Sequence, residues 1–195
     1  MSGSRGAASG RKPKVRAFIL IGFMGAGKSS VGRALGKQLG WPFEDLDEQI
    51  ERREQRMVPE IFRESGESEF RRVESAALKG LLEQLQAGTR KVVALGGGAF
   101  AQEHNVRLIA GANIPTLFLD APAEELWERC RQQAEQQEIE RPLLGGIESF
   151  RDLYRSRRPH YLRASFRLET SGKTVEEIAA EVAQVLGLSK SGGEK

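Results

Sequence analysis

Gly22-Phe23-Met24-Gly25-Ala26-Gly27-Lys28-Ser29 sets glycines, a lysine and a hydroxyl at the spacing G-x-x-x-x-G-K-[ST], the pattern of a loop that wraps phosphate. Glycines leave room for backbone N–H groups to close around phosphate oxygens. Lys28 is placed to reach the terminal phosphates and the Ser29 hydroxyl to hold Mg²⁺. Gly25, Ala26, Gly27, Lys28, Ser29 and Ser30 form the expected nucleotide-binding run. The bland alternative is a glycine-rich turn with an exposed lysine, and the flanking elements weigh against it. The apolar run Val15 to Ile21, broken only by Arg16, reads as a buried strand. Val31, Leu35 and Leu39 then fall on one face of a helix that Gly40 can stop.

Asp45-Leu46-Asp47 is the second constellation. Mg²⁺ takes hard oxygen ligands, and Asp45 could supply one. A hydroxyl acceptor needs orientation and a proton sink, and Asp47 could supply both. Either carboxylate could instead only cap the next helix. Gly96-Gly97-Gly98 follows the apolar Val92-Val93-Ala94-Leu95, and glycines at a strand end allow close approach of a ligand or only a flexible turn. Arg71, Arg141 and Arg157 could grip a carboxylate or phosphate with two prongs. In a chain this rich in arginine, composition alone does not select them from surface charge.

The elements that must hold these groups alternate along the chain. Strands are expected at Val15–Ile21, Phe43–Asp45, Val92–Leu95, Ile114–Asp120 and Ser165–Glu169. Helices are expected at Ser29–Leu39, Leu46–Gln55, Pro59–Glu64, Ser68–Gln86, Glu103–Ala110, Ala123–Gln133, Glu148–Leu162 and Val175–Leu186. Thr174-Val175-Glu176-Glu177 is a capping box for the last of these. Such alternation predicts a parallel sheet covered by helices on both faces, a three-layer α/β/α fold. Ligands then bind beyond the carboxyl ends of the strands. That rule puts Gly22–Ser29, Asp45–Asp47, Gly96–Gly98 and Asp120 along one edge.

Of 195 residues, thirty are Lys or Arg and twenty-seven Asp or Glu. Arg5, Arg11, Lys12, Lys14 and Arg16 fall in the first sixteen residues, where there is no acid. Setting those five aside leaves twenty-five of the thirty cations against twenty-seven acids, so the remainder is slightly acidic. Residues 1–14 read as a disordered basic tail and 189–195 as a second disordered end, around one domain over 15–188. The start has no apolar core of the kind a secretory signal carries, and no apolar run is long enough to span a bilayer. Cys130 is the single cysteine, which excludes an internal disulfide and a cysteine-based zinc site. The folded part shows no basic patch with interleaved aromatics, so no nucleic-acid partner is expected. The expectation is a cytoplasmic monomer with small-molecule substrates.

Taken in series, these motifs resemble the shikimate kinase family. Its pattern is matched by Gly22 to Ser29, by Asp45 and Asp47, by Gly66-Glu67-Ser68-Glu69-Phe70-Arg71-Arg72-Val73-Glu74, by Gly96-Gly97-Gly98-Ala99, by Arg141-Pro142-Leu143-Leu144 and by Arg157 four residues before Tyr161. The resemblance covers roughly residues 15 to 187, in order. It implies a P-loop NTPase fold of the nucleoside-monophosphate-kinase kind, with a five-stranded parallel sheet and a mobile lid over about 134–147. It implies phosphorylation of the 3-hydroxyl of shikimate by ATP with Mg²⁺, in aromatic amino-acid biosynthesis. Carried onto this chain, Lys28 and the loop amides bind the ATP phosphates, and Ser29 ligates Mg²⁺ with Asp45 nearby. Asp47 takes the shikimate hydroxyl and acts as base. Arg71 and Arg157 hold the carboxylate, the Gly97 backbone meets the ring, and Arg141 reaches the transferring phosphate from the lid. Arg129 lies over the adenine, with Arg131 a competitor, and Arg158 competes with Arg157. The rivals are another small P-loop kinase, such as gluconate kinase, and a non-catalytic nucleotide-binding relative. The G-E-x-x-F-R and R-P-L-L runs argue against the first, and retention of Lys28, Ser29, Asp47, Arg71 and Arg141 against the second.

Overall fold

The computed structural model describes residues 15–137 and 145–188. Five strands form one sheet: β1 (Ala17–Ile21), β2 (Phe43–Asp45), β3 (Lys91–Ala94), β4 (Thr116–Asp120) and β5 (Phe166–Glu169). Their order is β2-β3-β1-β4-β5, and every pairing is parallel. β1 and β4 are buried along their whole length, as strands covered on both faces must be. β4 starts two residues later than its apolar run because Pro115, which accepts from the Ile19 N–H at 2.9 Å, has no N–H to give the ladder.

The helices are α1 (Lys28–Leu39), α2 (Leu46–Glu54), α3 (Val58–Gln86), α4 (Glu103–Ala112), α5 (Ala123–Gln137), α6 (Ile147–Tyr161) and α7 (Val175–Val185). From β1 to β2 the chain moves one way across the sheet, and from β2 through β3 and β4 to β5 it moves back. Right-handed crossovers therefore put α1 on one face and the helices of the return path on the other. α7 packs against α1, which completes three layers. α3 joins the two helices expected around Gly66, where φ is 80° and ψ 169°. That conformation favours glycine, and it bends the path between the two halves. α5 runs on to Gln137, so the expected lid begins as a continuation of a helix.

β1 lies at the point where the strand order reverses, with β3 and β4 on either side. The carboxyl ends of β1 and β3 therefore open onto one crevice. Behind it, Phe23 stacks edge-on against Phe150 and Tyr154 of α6, with ring centroids 4.9 and 5.5 Å apart. Trp127 of α5 meets Phe150 at 5.2 Å, and Trp41 meets Phe18 at 6.3 Å. Each buried ring of this kind is worth roughly 1.5–3 kcal/mol of transfer free energy, so the two helices are pinned to the base of the glycine loop.

Candidate active site

The loop after β1 is built for an anion. α1 starts at Gly27, left-handed at φ 79°, with no side-chain cap and no acid in its first turn. Its first N–H groups and the positive end of the helix face the loop. Gly25 is also left-handed, at φ 78°, and a Cβ there would sit 2.4 Å from the Leu126 carbonyl and 2.9 Å from the Cys130 sulfur. α5 thus presses on the back of the loop where only glycine fits. Lys28 Nζ donates to the Gly22 and Phe23 carbonyls, each at 3.0 Å. Burial lowers its pKa, against the pull of Asp47 and Asp45.

Asp45 has two jobs. Its Oδ1 caps α2 by accepting from the Asp47 N–H at 3.1 Å, and its Oδ2 accepts from the Ser29 hydroxyl at 2.6 Å. Asp47 is different, because its Oδ1 is buried with no hydrogen-bond partner. Burial first, then Asp45 and Glu74, push its carboxyl from the usual 3.8 up to about 6, while Lys28 pulls it down. Two hard oxygens held together beside an orphaned carboxylate oxygen suit Mg²⁺, which keeps several waters and takes one or two carboxylates. No group of three or more His, Cys, Asp or Glu that could hold a metal occurs among the described residues, so a cation here would lean on water and phosphate.

The three glycines after β3 are a shared floor. A Cβ on Gly96 would lie 2.4 Å from Asp47 Oδ1, one on Gly98 would lie 2.8 Å from both terminal nitrogens of Arg71, and one on Gly97 would lie 3.7 Å from Arg157 Nη1. Each glycine therefore faces one of the three side chains expected to hold an acceptor. Asn105 supports the turn from behind, donating to the Ala99 carbonyl at 3.1 Å.

Arg71 is only 18 % exposed; its Nη1 lies 3.0 Å from Glu74 and its Nη2 3.1 Å from Glu67. Its guanidinium lies 5.2 Å from the Phe70 ring centre and 5.7 Å from that of Phe62. Glu74 is fully buried, and burial raises its pKa against the pull of Arg71. The sequence reading gave Glu74 no role, although a glutamate three places after an arginine on a helix was a usable signal.

Arg157 and Arg158 separate cleanly. Arg158 binds Asp120 Oδ2 at 2.8 Å and the Tyr154 hydroxyl at 3.1 Å. Arg157 has no ion-pair partner among the described residues; it stands beside Gly97, 5.9 Å from the Phe23 ring centre. Asp120, expected on the ligand edge, is instead buried and taken up by Arg158, Arg167 and Tyr154.

A cavity of about 530 Å³ joins these parts. Its walls include Gly25, Gly27, Lys28, Ser29, Ser30, Asp45, Asp47, Gly96 and Gly97, with Arg129 and Gln133 from α5. Ala26, within the loop, is fully buried and not on that wall. Arg71 and Arg157 are not on that wall and reach the site at the glycine floor. Arg129 donates to the Thr170 carbonyl at 2.9 Å and pairs with Glu125. Its competitor Arg131 pairs with Glu128 and Glu135 and does not line the cavity. Gln133 was not singled out from sequence. Arg141 lies outside the described residues.

A phosphate loop facing an unpartnered aspartate across a polar cavity, on a parallel sheet in this order, defines a P-loop kinase. The chain belongs to the shikimate kinase family, whose model, described as shikimate kinase, matches residues 24–187. The shikimate kinase of Persephonella marina is 37 % identical over 169 residues, covering 86 % of this chain and 97 % of that one. That of Cereibacter sphaeroides is 39 % identical over 174 residues, covering 88 % and 82 %. The solved structure of the Acinetobacter baumannii shikimate kinase in complex with shikimate is similar at a TM-score of 0.74 and 31 % identity, covering 88 % of this chain and 93 % of that one.

Proposed function

We propose that this chain transfers the terminal phosphoryl group of MgATP to the 3-hydroxyl of shikimate, a step of aromatic amino-acid biosynthesis. The observation that carries the reading is the glycine floor, which sets an unpartnered aspartate and two arginines side by side next to a phosphate loop. Shikimate is a small polyol with one carboxylate. Two arginines on the carboxylate and one aspartate on a hydroxyl fix its orientation, and fixed orientation is most of what phosphoryl transfer needs.

Each group then has a place. The amides of Gly25 to Ser30 and the ammonium of Lys28 bind the β- and γ-phosphates; to do so Lys28 exchanges the loop carbonyls it holds in the unliganded protein. Ser29 and Asp45 would hold Mg²⁺, which supplies charge neutralisation at the phosphates when bound. Asp47 Oδ1 accepts the proton of the attacking hydroxyl as its oxygen bonds to phosphorus and the bond to the ADP oxygen breaks. Arg71 and Arg157 hold the shikimate carboxylate, the Gly97 backbone meets the ring, and Arg129 faces the adenine. The family pattern assigns Arg141 to the transferring phosphate. All the groups come from one domain over residues 15–188, so a monomer suffices.

The test is ADP release from MgATP with shikimate, with gluconate and with no acceptor, run in parallel. Turnover with shikimate alone is expected. Turnover with gluconate, or none with either, overturns the acceptor assignment.

A further inference from the structure

Gly96, Gly97 and Gly98 hold the acceptor groups, yet a run of three glycines has little reason to stay in one conformation. Its carbonyls are fixed unequally. That of Gly96 accepts from Ala99 N at 3.0 Å and that of Gly98 from Ala101 N at 3.1 Å, both within the local turn. The Gly97 carbonyl has no such local partner among the described residues. It accepts instead from the Tyr161 hydroxyl, which arrives from the far end of α6. This carbonyl shares a peptide plane with the Gly98 N–H, so the phenol fixes that plane between the glycines that face Arg157 and Arg71.

Tyr161 is well held for the task. It is fully buried, and its ring lies 5.3 Å from that of Phe118 on β4. Burial pushes the phenol up to about 12, while Arg157 pulls it down. At any working pH the phenol keeps its proton and donates it. Arg157 lies one helical turn earlier in α6, and its Nη1 stands 3.7 Å from where a Cβ on Gly97 would lie, at the same glycine whose carbonyl the phenol holds. The end of α6 thus brings the phenol and the cation to the same glycine.

We propose that Tyr161 is a positioning residue of the acceptor site, locking the Gly97–Gly98 peptide on which Arg157 and Arg71 stand. This rests on the acceptor reading above. Tyr161→Phe keeps the ring and its packing and removes only the hydroxyl. The Gly97 carbonyl is then left unpaired, a change that typically costs a factor of about ten or more in the affinity it supports.

Steady-state kinetics and backbone amide exchange of the full chain test it together. Tyr161→Phe should raise the shikimate KM about tenfold, with the MgATP KM and kcat within about twofold. In the unliganded protein, amide exchange should quicken at Gly98. Tyr154→Phe is the control, because that phenol is also buried on α6 but bonds Asp120 and the Ala121 carbonyl. It should lower the melting temperature and leave the shikimate KM alone. An unchanged shikimate KM in Tyr161→Phe, an equal rise in both KM values, or the same KM pattern in Tyr154→Phe overturns the proposal. A wild-type protein without shikimate turnover sinks the acceptor reading instead. The exchange rate at Gly98 still reports the lock in that case, and an unchanged rate overturns it.

Discussion

Asp47 holds a charge that its surroundings penalise. Its buried Oδ1 has no donor, and its neighbours Asp45 and Glu74 are of like sign. A carboxylate in this state is a better base than one on the surface. Asp47→Asn should lower kcat by at least about a hundredfold while MgATP still binds; titration of the variant with nucleotide alone checks the second half, and near-wild-type turnover would remove the base role. The same change should stabilise the unliganded protein at neutral pH. With its folded pKa raised, Asp47 favours the native state only when protonated. The cost of ionising it is absent below the usual 3.8, grows as pH rises and is complete above about 6. The melting temperature of Asp47→Asn should therefore exceed wild type at pH 7 to 8 and converge with it near pH 4. The pH dependence of kcat/KM for shikimate follows the opposite requirement, because the base works only when ionised. Activity should fall as pH drops through about 6. A profile flat from pH 5 to 8 would put the proton elsewhere.

Among the elements, the turn after β3 does more than its sequence discloses. None of its three glycines has the positive φ that would demand glycine; what they supply is space. Substitution by alanine should therefore rank by clearance. Gly96→Ala meets the Asp47 carboxylate at 2.4 Å and should reduce kcat most. Gly98→Ala meets the Arg71 guanidinium at 2.8 Å and should raise the shikimate KM, since a long side chain can shift. Gly97→Ala, at an ordinary 3.7 Å from Arg157, should be the mildest. Parallel kinetics on the three, with melting temperatures as control, would show another order if the glycines served only flexibility. Spacing alone located the phosphate loop, all five strands and the aspartate pair, because local periodicity and turn chemistry decide them. The spacing to Tyr161 favours Arg157 over Arg158, but spacing did not reveal which glycine serves which side chain, nor the buried Glu74 beneath Arg71, nor that Arg158 is taken up by Asp120. Those depend on how α3 and α6 rotate against the sheet, and a long-range packing choice leaves no trace in local spacing.

At the scale of the molecule, the ends of β1, β2 and β3 open onto the cavity and that of β4 does not. Asp120 closes β4 and is aimed like a site residue, yet it joins three parts of the fold instead. Its Oδ1 accepts from Tyr154 of α6 at 3.0 Å, and its Oδ2 from Arg158 of α6 and Arg167 of β5, each at 2.8 Å. It ties β4 to the edge strand β5 and to the helix that carries Arg157 and Tyr161. Asp120→Asn could still accept from Tyr154 but would take the counter-charge from Arg158 and leave Arg167 only Glu169, at 3.7 Å. A fully buried pair broken in this way costs about 3–5 kcal/mol, and partial exposure of both arginines lowers that here. A loss of roughly 2–3 kcal/mol, or about 5–10 °C in melting temperature for a chain of this size, is expected. At 25 °C the kinetic constants should stay within about threefold of wild type. α6 is still held by Phe150 against Phe23 and Trp127, and by Tyr161 against Gly97. The reverse pattern, a large fall in kcat with an unchanged melting temperature, would return Asp120 to the reaction.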